Sequence, residues 1–253
     1  MGVVLAHALP GLPEIRAGDD LGALLALAAE RLDGGLAKGD VLAVAHKVVS
    51  KAEGRVRGLG DVEPGARARE LAAAHGRDPR LVQVVLDETA ELMRADRGRL
   101  ICRTRHGFVC ANAGVDASNA GHPGAVVLLP DDPDASARGL RASLRARLGS
   151  APAVIVTDSF GRAWRHGQAE TAIGCAGLSV LEDWRGRADS HGRRLVATVI
   201  AVADEAAAAA DLVRGKDTRE PAVRLRGLER HVTGEDGAGA AALLRPAEDD
   251  LFR

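Results

Sequence analysis

The sequence predicts an α/β protein, with mixed sheets and helices packed against them. Three observations carry that prediction. Short apolar, β-branched runs alternate with longer segments whose apolar residues recur at helical spacing. The segment RLICRTRHGFVCANAG (99–114) reads as a β-hairpin turning at His106-Gly107, which argues against a purely parallel sheet. The chain also has neither a Walker-type Gly-rich loop nor a Gly-x-Gly-x-x-Gly fingerprint, which sets it apart from P-loop and Rossmann nucleotide binders.

Taken in order, VVLAHAL (3–9) is a short strand ended by Pro10-Gly11-Leu12-Pro13. Leu21 to Leu32 forms an apolar helix with Asp19 and Asp20 at its start, where side-chain oxygens cap free amides. Gly39-Asp40 turns into VLAVAHKVVS (41–50), a buried strand by its β-branched content. Pro64 opens a helix to about His75, with Gly76 to end it, and Asp78-Pro79 caps a second, RLVQVVLDETAELMRA (80–95). This helical pair suggests a smaller helical lobe over about 62–98. After the hairpin come the strand AVVLLP, the turn DDPDAS and the helix RGLRASLRARLG. APAVIVTDSFGR is a strand with a polar exit. LVATVIAVADEAAAAADLVRG passes from strand to Ala-rich helix, and PAVRLRGL is the last strand. The Gly-rich remainder, 229–253, reads as a flexible tail.

With a net charge of -1 and no Tyr among 253 residues, the chain lacks the broad basic surface and the stacking aromatics of a nucleic-acid binder. No apolar run approaches membrane-spanning length and no leader pattern opens the chain, so no membrane partner and a cytoplasmic location are expected. Cys102, Cys110 and Cys175 lack zinc-site spacing and read as buried, reduced thiols.

Four polar clusters stand at the ends of apolar segments, where loops carry function on a rigid scaffold. They are Gly11-Leu12-Pro13-Glu14; His46-Lys47 with Ser50-Lys51; ANAGVDASNA (111–120); and Thr157-Asp158-Ser159, followed by Arg162 and Arg165. Hard divalent cations take oxygen ligands, and Mg²⁺ commonly uses one or two carboxylates together with substrate phosphates. Asp116 and Asp158, with Asn119 and Ser159 as neutral oxygens, suit that demand. Lys51, Arg162 and Arg165 suit phosphate or carboxylate oxygens. Turn-capping by the same Asp and Asn residues is the plainer alternative. The histidines do not pair at metal-ligand spacing.

KVVSKAEGR (47–55), NAGVDASN (112–119), VTDSFGR (156–162) and VADE (202–205), in this order, closely resemble the coenzyme F420-0:L-glutamate ligase family. PGLPEI and PAVRLRGL extend the match over residues 3 to 228. The resemblance implies a single stand-alone ligase unit over 1–253, with two lobes in an intertwined homodimer. It implies GTP-dependent addition of L-glutamate to the deazaflavin precursor F420-0 and extension of a γ-linked tail, through an acyl phosphate. The implied cofactors are Mg²⁺ or Mn²⁺, two ions in all, and a monovalent cation such as K⁺. By motif, Gly11, Leu12, Pro13, Glu14, His46, Lys47, Lys51 and Asn119 fall to the nucleotide, and Asp116, Asp158 and Ser159 to the metals. Lys51, Arg162 and Arg165 would stabilise the transferred phosphoryl group. The loop Arg214-Gly215-Lys216-Asp217 would close over the nucleotide.

One position departs from the family pattern. Where the family has a further metal ligand, often Glu or Gln, this chain has Lys216, whose ammonium has no lone pair to give. Either Asp217 takes the role by a one-residue shift or the second ion is held differently. Two other readings stay open: an amide ligase for another phosphorylated acid, and a non-catalytic nucleotide-binding relative.

Overall fold

Along the chain run β1 (Leu5–Ala8), α1 (Leu21–Ala29), β2 (Val41–Ala45), α2 (His46–Ala52), β3 (Val56–Gly58), α3 (Ala66–His75), α4 (Pro79–Asp87), β4 (Thr89–Asp96) and β5 (Arg99–Thr104). They are followed by β6 (Val109–Ala111), β7 (Ala125–Val127), α5 (Pro133–Leu148), β8 (Ala153–Arg162), β9 (Arg165–Ala176), β10 (Glu182–Asp183), β11 (Val199–Ile200), α6 (Val202–Asp211) and β12 (Ala222–Arg226). The computed structural model describes residues 2–250.

A five-stranded sheet in the order β1-β12-β2-β8-β9 forms the centre. β2 and β8 are parallel, and every other neighbouring pair in it is antiparallel, so the expected mixed α/β fold is present. The strand period of two divides the core between two faces. Leu42, Val44, Val154 and Val156 pack with α1 and α5 on one face. Val41, Ala43, Ala153 and Ile155 pack with the alanines of α6 on the other. A third cluster, from Val62 to Leu128, sets α3 and α4 against the sheet β4-β5-β6. The helical pair of 62–98 therefore belongs to an α/β lobe that reaches beyond it.

Two segments differ from the sequence expectation. VLAVAHKVVS is a strand only to Ala45 and a helix from His46. The partner strand explains the break: Ala45 N–H bonds Pro221 O, and β12 begins just beyond that proline, which has no N–H to extend the ladder. The predicted helix 80–95 ends at Asp87, and Thr89–Asp96 pairs with β5 as a strand. Arg97 (φ 48°) and Gly98 (φ 76°) make the two-residue turn of that hairpin. The strand APAVIVTDSFGR runs to Arg162 and returns as β9, which the sequence reading left without an element.

A β-bulge interrupts β8–β9 pairing between Val156 and Thr157. Asp204 of the VADE segment accepts the Ala172 N–H there at 2.9 Å. A bulge leaves an amide off the ladder, and this carboxylate satisfies it. Of the segment expected as a flexible tail, residues 231 to 241 lie against the body. Arg141 Nη1 meets Asp236 at 2.7 Å, Asp134 Oδ1 accepts the Ala240 N–H at 2.7 Å, and Ala240 is fully buried. Residues 251–253 of that segment lie outside the described residues. Among the described residues no helix is long and apolar enough to cross a membrane. All three cysteines are buried and free.

Candidate functional site

The carboxyl ends of the parallel pair β2 and β8 are where the predicted residues gather. Ala45 pairs with Thr157, so His46 leaves one strand beside the point where Asp158 continues the other. The crevice outside the carboxyl ends of parallel strands is the place where open α/β sheets bind ligands. Helix α2 then sets its polar residues by the four-residue spacing of one helix face. His46 and Ser50 turn inward, with Nδ1 3.3 Å from Ser50 Oγ, and both are buried. Lys47 and Lys51 share the next stripe.

His46, Lys47 and Lys51 each meet a partner from a distant segment. His46 Nε2 lies 3.3 Å from Asp158 Oδ1. Lys47 Nζ lies 2.6 Å from Asp116 Oδ2 and donates to Ser118 Oγ at 2.6 Å. Lys51, buried, pairs with Glu14 of the Gly-Leu-Pro-Glu turn. That turn is anchored by Leu12 in the core and by Arg31, which donates to Gly11 O at 3.1 Å, while Pro13 is exposed.

The Asp116 loop reaches the site through an unusual turn. Asn112, Ala113 and Gly114 have φ of 54°, 52° and 74°, and the Asn112 side chain is held by Arg77 at 2.7 Å. Asp116 then bridges to Val127, and its carboxylate accepts from Ser118 N (2.7 Å) and Ser118 Oγ (2.9 Å). Burial pushes the Asp116 pKa up, but the Lys47 and Ser118 hydrogen bonds outweigh it and hold the carboxyl below its ordinary range. Asn119, at φ 54°, is exposed on the same loop.

Asp158 and Ser159 are neighbours in a strand, so they point to opposite faces. Asp158 faces α2 and the small lobe; Ser159 N–H and His46 both meet its Oδ1. It also lies near Cys110 of β6, whose thiol is raised to about 12 by burial first and by the Asp158 charge second. Ser159 faces the other way and donates to Glu170, its register partner on β9. Glu170 forms a buried pair with Arg214 at 2.8 Å, the two side chains 4% and 5% exposed. Burial raises the Glu170 pKa, and the Arg214 charge, aided by the Ser159 hydrogen bond, more than reverses the shift. Lys216 Nζ completes this second cluster, 2.8 Å from Ser159 Oγ, 3.4 Å from Glu170 Oε1 and 3.5 Å from Asp211 Oδ1.

Most of the predicted residues therefore converge, but on two faces of β8. Arg162 and Arg165 do not join them. They flank the exposed tip of the β8–β9 ribbon, where Arg162 donates to His166 O at 2.7 Å. Gly215 and Asp217 lie in the exposed loop between α6 and β12. Glu170 and Asp211 carry no motif that singles them out in the sequence. Recognising β9 as the return strand of a hairpin would have put Glu170 opposite Ser159; Asp211 carries no such signal.

Among the described residues no three His, Cys, Asp or Glu side chains cluster as a preformed metal cage. The Asp158 face still fits a hard cation of the Mg²⁺ kind, which takes one or two carboxylates and completes its shell with water and phosphate oxygens. Both contacts of Asp158 fall on Oδ1, and Asp116 stands on the other side of the first turn of α2. The Ser159 face does not fit a second ion, because one ammonium stands within 3.5 Å of all three of its side-chain oxygens, whereas on the other face Lys47 pairs with Asp116 and leaves Asp158 to His46.

A family model described as F420-0:gamma-glutamyl ligase matches residues 11–227. The coenzyme F420:L-glutamate ligase of Methanopyrus kandleri is 47% identical over 242 residues, covering 95% of this chain and 94% of its own. That of Methanothermobacter thermautotrophicus is 42% identical over 254 residues and covers both chains completely. The Halobacterium salinarum protein of the same name is 45% identical over 256 residues, 98% of this chain and 95% of its own.

Proposed function

The chain belongs to the F420-0:gamma-glutamyl ligase family, and from that premise we propose that it joins L-glutamate to the coenzyme precursor F420-0 at the expense of GTP. The single observation that most supports this reading is the convergence of His46, Lys47, Lys51, Asp116 and Asp158 at the carboxyl ends of β2 and β8. The site alternates cationic and anionic groups, as a phosphate-binding, cation-assisted site requires.

A carboxylate does not condense with an amine until one oxygen becomes a leaving group. In the proposed route the terminal carboxylate of F420-0 attacks the γ-phosphorus of GTP, the bond to the β-phosphate oxygen breaks, and GDP and an acyl phosphate result. The free amine of L-glutamate then attacks the acyl carbon and inorganic phosphate leaves, forming the amide; later additions through the side-chain carboxylate extend a γ-linked tail. In such chemistry the protein mainly positions reactants and offsets charge. Lys51 and Lys47 would receive phosphate oxygens, exchanging Glu14 and Asp116 for them. Asp116 and Asp158 would hold a divalent cation, Mg²⁺ or Mn²⁺, which neutralises phosphate charge when bound. The loop from Arg214 to Asp217, with Asn119 opposite, would cover the nucleotide. Arg162 and Arg165 would act only after the ribbon tip approaches. A homodimer belongs to the same proposal, supported by the projecting β8–β9 and 181–200 ribbons with their exposed Trp164 and Val196.

The test is incubation with F420-0, GTP, Mn²⁺ and L-glutamate, followed by mass spectrometry. Products heavier by whole glutamyl residues are expected, with GDP formed in step. Asp116→Asn and Asp158→Asn should each lower kcat/KM by about 10²- to 10³-fold, the range for removing one charge-stabilising group. Tight GDP binding without product under either metal would overturn the reading in favour of a non-catalytic nucleotide binder.

A further inference from the structure

Strand β8 divides the site into two cation positions, and a lysine stands at each: Lys47 pairs with Asp116 alone of the two carboxylates on one face, whereas Lys216 stands among all three side-chain oxygens of the other. On the Asp158 face the carboxylates of Asp116 and Asp158 flank α2. On the opposite face Ser159 Oγ, Glu170 Oε1 and Asp211 Oδ1 surround a single point, and the Lys216 ammonium stands at it, 2.8 to 3.5 Å from all three.

The charges there balance. Glu170 and Asp211 bring two negative charges, and Arg214 and Lys216 bring two positive ones. Glu170 is 4% exposed, so its charge cannot rely on water and needs partners. Arg214 Nη2 stands 2.8 Å from Oε2 and Lys216 Nζ 3.4 Å from Oε1, so each oxygen faces a positive charge. A divalent ion in that place would have to displace the ammonium, and Lys216 would then have no lone pair with which to become a ligand. The stem of Lys216 lies in the exposed loop after α6, so only its head enters the cluster.

We propose that the Lys216 ammonium is a tethered cation permanently holding the Ser159 face, so that the nucleotide-loaded site of this chain takes one divalent ion, on the Asp158 face, rather than two. The inference rests on the nucleotide- and metal-dependent reading given above. It makes Lys216 a positioning residue: it fixes Ser159 and Glu170, and it keeps positive charge beside the phosphates at any divalent-ion concentration.

The test counts Mn²⁺ bound to the full chain saturated with GDP, from the loss of the free-ion signal in electron paramagnetic resonance. Wild type should bind one Mn²⁺, and Asp116→Asn should abolish it. Lys216→Gln and Lys216→Glu, which put an oxygen ligand where the ammonium was, should bind two, while Lys216→Met should not exceed one. Two ions on wild type, or no gain in both Lys216→Gln and Lys216→Glu, would overturn the tethered-cation assignment while leaving the nucleotide–metal reading intact. No ion on any variant despite bound GDP would overturn that reading and the assignment together.

Discussion

Gly114 closes the left-handed turn that presents Asp116, and it has no room for a side chain. Its φ is 74°, and a Cβ built there would lie 2.7 Å from Leu129 Cγ. Gly114→Ala should therefore destabilise the fold by about 2–4 kcal/mol, from backbone strain and overpacking together. A loss below about 1 kcal/mol in urea unfolding would show that Leu129 yields. Ala113, also left-handed and buried, carries strain of the kind that gathers at binding loops. At this scale the sequence was informative. Asp116, Asp158, Lys47 and Lys51 are chemically recognisable, and the ANAG turn leads directly into the loop that meets Lys47. It could not show that Asp158 and Ser159 serve different faces until the strand was known to continue through both.

The differences at the scale of elements come from pairing partners, one distant in sequence and one adjacent. VLAVAHKVVS has the composition of a strand throughout, but its ladder neighbour begins just after Pro221 and the chain coils at His46. Thr89–Asp96 could extend the α4 pattern, but pairing with β5 gives it a ladder instead. Arg-Gly is a poor sequence sign of the turn between them, whose two central residues have positive φ; Asn-Gly is the usual one. Arg97→Asn, at an exposed position, should relieve that strain and stabilise by about 0.5–1 kcal/mol. A melting temperature raised by about 1–3 °C is the expected readout, and an unchanged or lowered one would count against the turn assignment.

For the whole molecule, the segment after β12 packs against the body through Arg141, Asp134 and an isolated bridge from Val232 to Leu178. His231 is buried in this segment, its Nε2 accepting from Arg230 Nε at 2.9 Å, with Glu182 and Glu205 facing it. Burial first, and the Arg230 charge second, lower its pKa from 6.5. The unfolded chain therefore takes up the proton more readily than the folded one. Stability is then fully present above pH 6.5, falls as the pH drops through that value, and levels off below the folded pKa. Denaturant midpoints should be lower at pH 6.0 than at pH 7.5, and His231→Gln should reduce the difference. An identical pH dependence in the variant would remove His231 as its cause.

By itself the sequence determined the α/β class, the helix caps at Asp20 and Asp78, the 99–114 hairpin and most of the chemical groups of the site. Those features depend on local periodicity, capping and residue type, which neighbours in sequence supply. Tertiary structure decided where β2 becomes α2, that β9 returns beside β8, and that Glu170 and Asp211 stand beside Ser159. It also placed Arg162 and Arg165 at a ribbon tip and put Lys216, not Asp217, among the oxygens of the second face. Ladder partners and the contacts they bring set these outcomes, and residue type and local periodicity do not specify them.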